Sequence, residues 1–248
     1  PLANKLYQQT AKSSQIDHGE AMSTDEEKRE NYNNLRQTAY DRGIDLFGVC
    51  RLDFDPDHYH KDIRAVAKQM THAISLAVAL SPQVFDTIED GPNDIYKTHY
   101  RQANSLLDHA SFHLSQKINR LGHKALPIAA SFTVDEKMQR GHLSHKQVAE
   151  LAGLGWRGRN NLLVTKKFGS MVRLATVLTD TPLESDRRAE FECGQCKACI
   201  KACPADALGE KVEDYNFDRC YDKLVAYAKR KNFGLLICGH CIKVCKPR

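Results

Sequence analysis

The stretch CGQCKACIKACPADA, from Cys193 to Ala207, places four cysteines within eleven residues and follows the last of them with a proline. The spacing is Cys-x2-Cys-x2-Cys-x3-Cys-Pro, which is typical of bacterial ferredoxins with two [4Fe–4S] clusters. In that run three thiolates bind one cluster and the fourth binds the other. The spacing therefore predicts that Cys203 belongs to a different cluster from the three cysteines before it.

A second set of cysteines follows and completes the count. It comprises Cys220, Cys238, Cys241 and Cys245. Four thiolates per cluster use all eight cysteines of the two sets, so we expect two complete [4Fe–4S] clusters. The crossing rule predicts the ligands of the first cluster as Cys193, Cys196, Cys199 and Cys245, and those of the second cluster as Cys203, Cys220, Cys238 and Cys241.

Zinc ribbons and four disulfides are the two other interpretations of these cysteines. Zinc ribbons usually pair two Cys-x2-Cys knuckles and do not account for a third cysteine at the same spacing. Disulfides are typical of secreted proteins, whereas eight of the nine cysteines here are clustered between Cys193 and Arg248 with two-residue spacings. The ninth, Cys50, lies in an apolar run and is interpreted as a small buried side chain. We expect iron–sulfur clusters in a reducing compartment.

The composition is that of an ordinary globular protein. Of the 248 residues, 42% are hydrophobic and 27% are charged, and the formal net charge is +5. The lysines and arginines are mixed with acidic residues, so nucleic-acid binding is not indicated. The longest apolar run, Ala73–Leu80, is far too short for a membrane span and is interpreted as a buried strand. We expect a cytoplasmic protein without a membrane anchor, with residues 1–22 as a polar N-terminal arm.

Helical and strand patterns alternate before the cysteines. Capping-box sequences predict helices that begin at Thr24 and Ser144, and helical spacing predicts a long helix from Asp94 to Leu121. Strands are predicted at Ile44–Leu52, His72–Leu80 and Met171–Thr179. This order predicts a layered α/β or α+β domain over residues 23–185 and a ferredoxin-like domain over residues 186–248. A free ferredoxin needs only the second of these, so we expect the large domain to hold the electron acceptor.

The segment AELAGLGWRGRNNLLVTKKFGSMVRLATVLTDTPLESD, Ala149–Asp186, followed at once by the cysteine run, resembles the cobalamin-dependent iron–sulfur reductases. These comprise the epoxyqueuosine reductases and the corrinoid reductive dehalogenases. GLGWRG is similar to the first branch, whereas FGSMVR and TDTPL are closer to the second. The resemblance implies a nitroreductase-like α/β core that binds a corrinoid (cobalamin) in a cleft beside the first cluster.

The glycine-rich part of this segment is the candidate corrinoid site. Gly153, Gly155 and Gly158 would let a bulky flat ligand approach the backbone closely. Trp156 would form a wall. The candidate donors are Arg159, Asn160, Asn161 and Ser170. The alternative is a glycine-rich helix end followed by a core tryptophan.

Three residues are candidates for catalysis. Arg173 matches the arginine that the dehalogenases direct into their active site, and Tyr100 is a candidate for their tyrosine acid. The alternatives are an edge-strand salt bridge for Arg173 and an aromatic side chain on a helix face for Tyr100. The acid that the resemblance implies before the glycine-rich turn is missing, because Gln139, Arg140 and Gly141 stand there. His142 is a candidate donor in its place.

Two further segments are rich in metal-ligand residue types. His142 and His145, in HLSH, lack a third ligand nearby in sequence and are interpreted as surface histidines or substrate donors. The segment DPDHYHKD, Asp55–Asp62, lacks helical histidine spacing and is interpreted as a solvated turn.

The function predicted from these features is an oxidoreductase from an anaerobic or low-oxygen setting. Its two clusters would pass electrons to a bound corrinoid that reduces a small molecule. A ferredoxin or flavodoxin is the expected donor, docking at the basic run Ala226–Lys231. The sequence ends three residues after Cys245, without the helical repeats of epoxyqueuosine reductases, so tRNA is not expected as a substrate. The alternative is an electron-transfer or corrinoid-activating protein with no cofactor beyond the clusters.

Overall fold

The computed structural model of the chain describes residues 24–53, 55–230 and 233–246. The predicted polar arm, residues 1–22, lies outside the described residues, as do Lys231 of the basic run and Pro247.

A four-stranded sheet forms the centre of the molecule. Its strands are β1 (Leu46–Arg51), β2 (His72–Ala79), β3 (Ala125–Ile128) and β6 (Val172–Thr179), in the order β1-β2-β6-β3. Every neighbouring pair is antiparallel; Ile74 of β2, for example, lies opposite Val177 of β6. A separate two-stranded hairpin consists of β4 (Trp156–Arg157) and β5 (Leu163–Val164). The antiparallel pairing decides between the two predicted classes in favour of α+β.

Helices cover both faces of the sheet. The long helix α4 (Asp94–Arg120) packs on β3 and β6, and α1 (Thr24–Tyr40) packs on α4 and β1. The other face carries α2 (Lys61–Ala67) and α5 (His145–Leu151). Successive side chains of β2 point to opposite faces of the sheet, so this strand contributes to the hydrophobic core on each face. Ile74 joins the cluster under α4, and Ala73 joins the cluster under α5. A short helix, α3 (Pro82–Asp86), follows β2.

The cysteine-rich region is made of short helices packed against this core. These are α6 (Ala198–Lys201), a 3-10 turn (Val212–Asp214), α7 (Phe217–Ala228) and α8 (His240–Lys243). Phe233 and Ile237 belong to the same buried cluster as α4, and α8 contacts α3. The Lys243 ammonium also connects this region to the core, because it donates a hydrogen bond to the Ile88 carbonyl at 2.7 Å.

Most of the predicted elements are confirmed. The three predicted strands and the helices that begin near Thr24, Asp94 and Ser144 are all present. Ser144 caps α5 by accepting a hydrogen bond from the Gln147 amide. Cys50 is buried, as predicted, and burial raises the pKa of its thiol to about 11. No helix within the described residues is both long enough and apolar enough to cross a bilayer.

Candidate metal and active site

The four cysteines predicted to bind the first cluster line one cavity of about 380 Å³. Cys193 and Cys196 lie in the loop before α6, Cys199 lies within α6, and Cys245 follows α8. Burial is the largest cause that raises the pKa of the Cys199 thiol to about 11, and the nearby Cys245, Cys193 and Cys196 contribute to the same rise. The crossing residue, Cys245, is therefore close to the first three cysteines despite its distance in sequence.

The other four cysteines form a second group. Cys203 follows α6, Cys220 lies on α7, and Cys238 and Cys241 lie before and within α8. Burial raises the pKa of Cys241 well above its ordinary value, and the charges of Cys238, Cys220, Cys199 and Cys203 act in the same direction. Burying four thiolates together is unfavourable without cations, and iron would supply that positive charge.

The spread of the sulfur atoms suits a cluster better than a single ion. Four thiolates bound to one zinc ion lie about 3.8 Å apart. Within residues 24–53, 55–230 and 233–246, no three cysteine sulfurs lie within 4.8 Å of one another. Four disulfides do not match this structure, in which the following cysteines form no disulfide: Cys199, Cys203, Cys220, Cys238, Cys241 and Cys245.

Trp156 and Gly169 also fit a cluster in the first cavity. Trp156 is 6% exposed and lines the cavity, and its indole Nε1 has no acceptor among the described residues. A cluster sulfur would provide one. Gly169 has a φ of 58°, and a Cβ there would lie 2.0 Å from the Cys245 carbonyl oxygen. This close approach holds the end of the chain against the turn before β6.

Arg159 holds the first cysteine loop. Its guanidinium donates to the carbonyls of Glu210 at 2.6 Å, Gly194 at 2.9 Å and Cys196 at 3.0 Å. A planar guanidinium with several donors can join three carbonyls in this way. Arg159 lines the cavity, but its hydrogen bonds go to the protein backbone.

The other predicted corrinoid donors are hydrogen-bonded within the chain. The Asn160 amide donates to Ser170 Oγ at 3.0 Å, and its oxygen accepts from the Leu162 amide. Asn161 accepts hydrogen bonds from Arg157 and, through its carbonyl, from Lys146. These hydrogen bonds shape the β4–β5 turn. The binding role of these side chains stays a prediction.

The glycines before this turn are explained by packing within the chain. A Cβ at Gly155 would lie 2.1 Å from the Val164 carbonyl oxygen, and one at Gly153 would lie 2.5 Å from the Arg187 carbonyl oxygen. At Gly158 a Cβ would meet Val164 and Asn160. The space in front of these glycines is filled by the protein itself, which the sequence interpretation of an open backbone did not anticipate.

Arg173 and Tyr100 lie together beside the sheet. The guanidinium carbon of Arg173 lies 4.4 Å from the centre of the Tyr100 ring. Arg173 also donates to Asn104 Oδ1 at 2.9 Å and to the Ala130 carbonyl at 3.2 Å, and the Tyr100 hydroxyl is 2.9 Å from Ser131 Oγ. No carboxylate lies within 4.0 Å of the Arg173 guanidinium in the described part of the chain, so a salt bridge is not what holds it.

The two histidines of HLSH have different surroundings. The His142 ring stacks on Phe132, with centroids 5.5 Å apart. His145 is half-buried, and its ring nitrogens lie 2.8 Å from Thr176 Oγ1 and 3.0 Å from the Ala129 carbonyl. Burial lowers the pKa of His145 to about 4, so it is neutral near pH 7. The interpretation of His145 as a surface histidine or substrate donor stays a prediction.

Sequence reasoning missed two residues beside the second cysteine group. Tyr215 is hydrogen-bonded to Cys220, and burial is the largest cause that raises the pKa of its phenol. Burial also lowers the pKa of Lys146 to about 8, while the nearby Cys220 opposes that shift. No local pattern marks either residue, since each reaches Cys220 through the fold.

Comparisons with known proteins agree with the geometry. No protein-family profile matches the chain. The epoxyqueuosine reductase of Aliivibrio fischeri is 33% identical over 244 residues, which cover 82% of this chain and 59% of the relative. That of Vibrio cholerae is 26% identical over 255 residues, covering 86% and 66%. A shorter match, 50% identical over 68 residues, covers 18% of the Listeria monocytogenes enzyme. Each of these matches thus spans less than two thirds of the relative's length, and the shortest spans about a fifth.

Two solved structures share the fold. A catabolic reductive dehalogenase in complex with 3-bromo-4-hydroxybenzoic acid superposes with a TM-score of 0.72 at 19% identity, covering 88% of this chain and 32% of that one. The epoxyqueuosine reductase from Streptococcus thermophilus superposes with a TM-score of 0.61 at 20% identity, covering 86% and 65%.

The mixed helix–sheet fold is that of solved reductive dehalogenase and epoxyqueuosine reductase structures, and the sequence relatives are epoxyqueuosine reductases. More closely, the chain is similar in sequence to the epoxyqueuosine reductases and in fold to both the epoxyqueuosine reductases and the reductive dehalogenases, which confirms the resemblance stated from its sequence.

Proposed function

We propose that the protein is an iron–sulfur oxidoreductase in which two [4Fe–4S] clusters pass single electrons to an acceptor in the helix–sheet region. The observation that carries this proposal is the gathering of eight cysteines into two groups of four, with the first group around a cavity beside Trp156. In finer terms, the core is nitroreductase-like and the end of the chain is ferredoxin-like.

The two groups are arranged for electron relay. They meet at α6, because Cys199 belongs to the first group and Cys203, just after the same helix, belongs to the second. The charge of Cys199 acts on the thiol of Cys241, so the groups are close in space. The positions of the two groups indicate the direction of electron flow, which is from the second group to the first. The second group lies beside the exposed face of α7, whereas the first faces the β4–β5 hairpin.

The acceptor in this proposal is a corrinoid. The support is the shared fold. A structurally similar reductive dehalogenase has a structure that suggests a mechanism for B12-dependent dehalogenation. A bound corrinoid would supply a strongly reducing cobalt centre for a small substrate. Arg173 and Tyr100 are then the groups that orient that substrate, with the Tyr100 hydroxyl as the candidate proton donor.

A relay with no cofactor beyond the clusters is the second candidate. It is favoured by the hydrogen bonds that already satisfy Arg159, Asn160 and Asn161. In that case the helix–sheet region would dock a partner that accepts the electrons.

The proposed electron donor is an acidic ferredoxin or flavodoxin in the cytoplasm. α7 presents Arg219 and Lys223 near Cys220, and both side chains line an open surface depression. Complementary charge would steer an acidic donor to this face, and raising the salt concentration should slow the reduction.

Anaerobic purification followed by addition of hydroxocobalamin tests the proposal. We expect about eight iron and eight sulfide per chain, together with a corrinoid that co-elutes with the protein and changes its absorption bands. Full iron and sulfide without corrinoid co-elution would support the relay candidate instead. Protein that binds zinc, or no iron, at these cysteines would refute both.

Replacing Trp156 with phenylalanine should lower the reduction potential of the first cluster. The indole N–H would donate to a cluster sulfur and stabilise the reduced, more negative state. Without this hydrogen bond, the ratio of reduced to oxidised first cluster at a fixed potential should fall about tenfold. This corresponds to a reduction potential lowered by about 59 mV for a one-electron couple. A redox titration followed by electron paramagnetic resonance (EPR) measures this.

Tyr215→Phe is the matched control, because Tyr215 contacts Cys220 of the second group. It should change the second cluster's potential and leave the first unchanged. Equal effects of both variants on both clusters would contradict the assignment.

A further inference from the structure

Two segments that the sequence presents separately meet in the structure. DPDHYHKD ends at Asp62, and HLSH begins at His142, some eighty residues later. The His60 amide donates to the His142 carbonyl at 2.8 Å, and the two imidazole rings are 5.9 Å apart, edge to face. His142 thus finds the additional ligands that its own stretch of sequence lacks.

Three side chains converge at this meeting point. One ligand atom from each of His60, Asp62 and His142 lies within 4.8 Å of the others. His60 Nδ1 and Asp62 Oδ2 are 3.3 Å apart, and two ligands of a tetrahedral zinc ion are separated by about 3.4 Å. A metal ion at Nδ1 would replace the 3.4 Å hydrogen bond that this atom accepts from the Asp62 amide. In the part of the chain that the structure describes, this is the one trio of histidine, cysteine or carboxylate side chains that converges so closely.

The surroundings hold the trio in place. His60 is the N-cap of α2, which fixes its backbone, and the His142 ring is stacked on Phe132 with an angle of 13° between planes. The nearby cation Arg64 is directed elsewhere, since it donates to the Tyr59 carbonyl and lies 4.0 Å from Asp57. Asp62 is 57% exposed and His60 26% exposed, so solvent can reach the remaining coordination positions.

We propose that His60, Asp62 and His142 bind one divalent first-row metal ion of the zinc type. Two imidazoles and a carboxylate are the donors such ions prefer, and three protein ligands leave a position for water. The site is separate from the cysteine groups and does not depend on the proposed function.

The position of the site gives the metal a structural consequence. Phe132, which stacks on His142, directly follows Ser131, whose hydroxyl contacts Tyr100. A metal ion would tie this segment to the start of α2. It would therefore fix one side of the Tyr100–Arg173 pair.

Calorimetric titration of the iron-loaded holoprotein with Zn²⁺, and absorption spectroscopy with Co²⁺, test the proposal. We expect one saturable equivalent of Zn²⁺ and a cobalt spectrum of nitrogen and oxygen ligands. Asp62→Asn and His142→Gln should each weaken binding at least about 100-fold, because loss of an outer partner alone weakens metal sites 10–100-fold. His58→Gln is the control, since this exposed histidine near the site faces Asp55.

Three results would overturn the proposal: no saturable equivalent beyond the iron, thiolate-to-cobalt charge-transfer bands, or equal weakening by His58→Gln. Iron content and circular dichroism establish that each variant is folded. If His142→Gln does not fold, the exposed Asp62→Asn variant decides alone.

Discussion

Replacement of Cys203 by alanine is expected to remove the second iron–sulfur cluster and to leave the first. Cys203 stands in the same run as Cys193, Cys196 and Cys199, but its thiol belongs to the group that surrounds Cys241. Cys245→Ala should do the reverse, because its thiol belongs with Cys199. In each variant the iron content should fall from about eight to about four per chain.

Trp156→Phe identifies which cluster remains, since Trp156 lines only the first cavity. In the Cys203→Ala background, the remaining cluster should respond to Trp156→Phe with the lowered potential. In the Cys245→Ala background it should not respond. The opposite pattern would mean that the four cysteines of the run bind one cluster, and the crossing arrangement would be wrong.

Gly169→Ala is expected to be strongly destabilising and to release the first cluster. The left-handed backbone costs a side-chain-bearing residue about 1 kcal/mol, and the Cβ would lie 2.0 Å from the Cys245 carbonyl oxygen. Moving that backbone should add about 2 kcal/mol and displace a ligand. We expect a loss of about 3 kcal/mol in the free energy of unfolding and iron falling to about four per chain.

Gly122→Ala is the matched control. Gly122 also has a positive φ, of 86°, but a Cβ there meets nothing within 4 Å. It should lose about 1 kcal/mol, which lowers the melting temperature by about 2–4 °C in a chain of this size, and it should keep its iron. Similar losses of iron in the two variants would refute the claim that Gly169 positions Cys245.

The iron–sulfur assignment also bears on how the protein uses its chemistry. The resemblance stated from the sequence predicts an acid before the glycine-rich turn, where this chain has Gln139, Arg140 and Gly141. The proposed donor is instead Tyr100, with Arg173 against its ring. The corrinoid titration comes first, because it separates a reductase with its own cobalt centre from a relay that serves a partner.

Local sequence predicted the individual elements well. Gly43, Gly122 and Gly153 follow helices α1, α4 and α5, and all three have positive φ. A glycine in that conformation ends a helix by a local mechanism that requires no distant contact. The strands could also be predicted from local sequence, because an alternating or continuous apolar run buries the same side chains wherever the strand lies in the sheet.

The hydrogen-bond partners of the polar side chains could not be predicted from the sequence. Asn160 and Ser170 were expected to face a ligand, but they bond to each other across the β4–β5 turn. Arg159 was expected to donate to a cofactor, but it joins Gly194, Cys196 and Glu210. A polar side chain bonds to whatever the fold brings near it, and its residue type does not specify that partner.

The sequence by itself determined the elements, the cysteine count and the superfamily, because helix ends, strand runs and motif spacing are encoded in neighbouring residues. Only the tertiary structure decided the antiparallel strand order, the contact of Arg173 with Tyr100 and the meeting of His60 with His142. Each of these contacts joins residues far apart in the chain. They form because the shared apolar core fixes which segments lie side by side, and that packing has no local signature in the sequence.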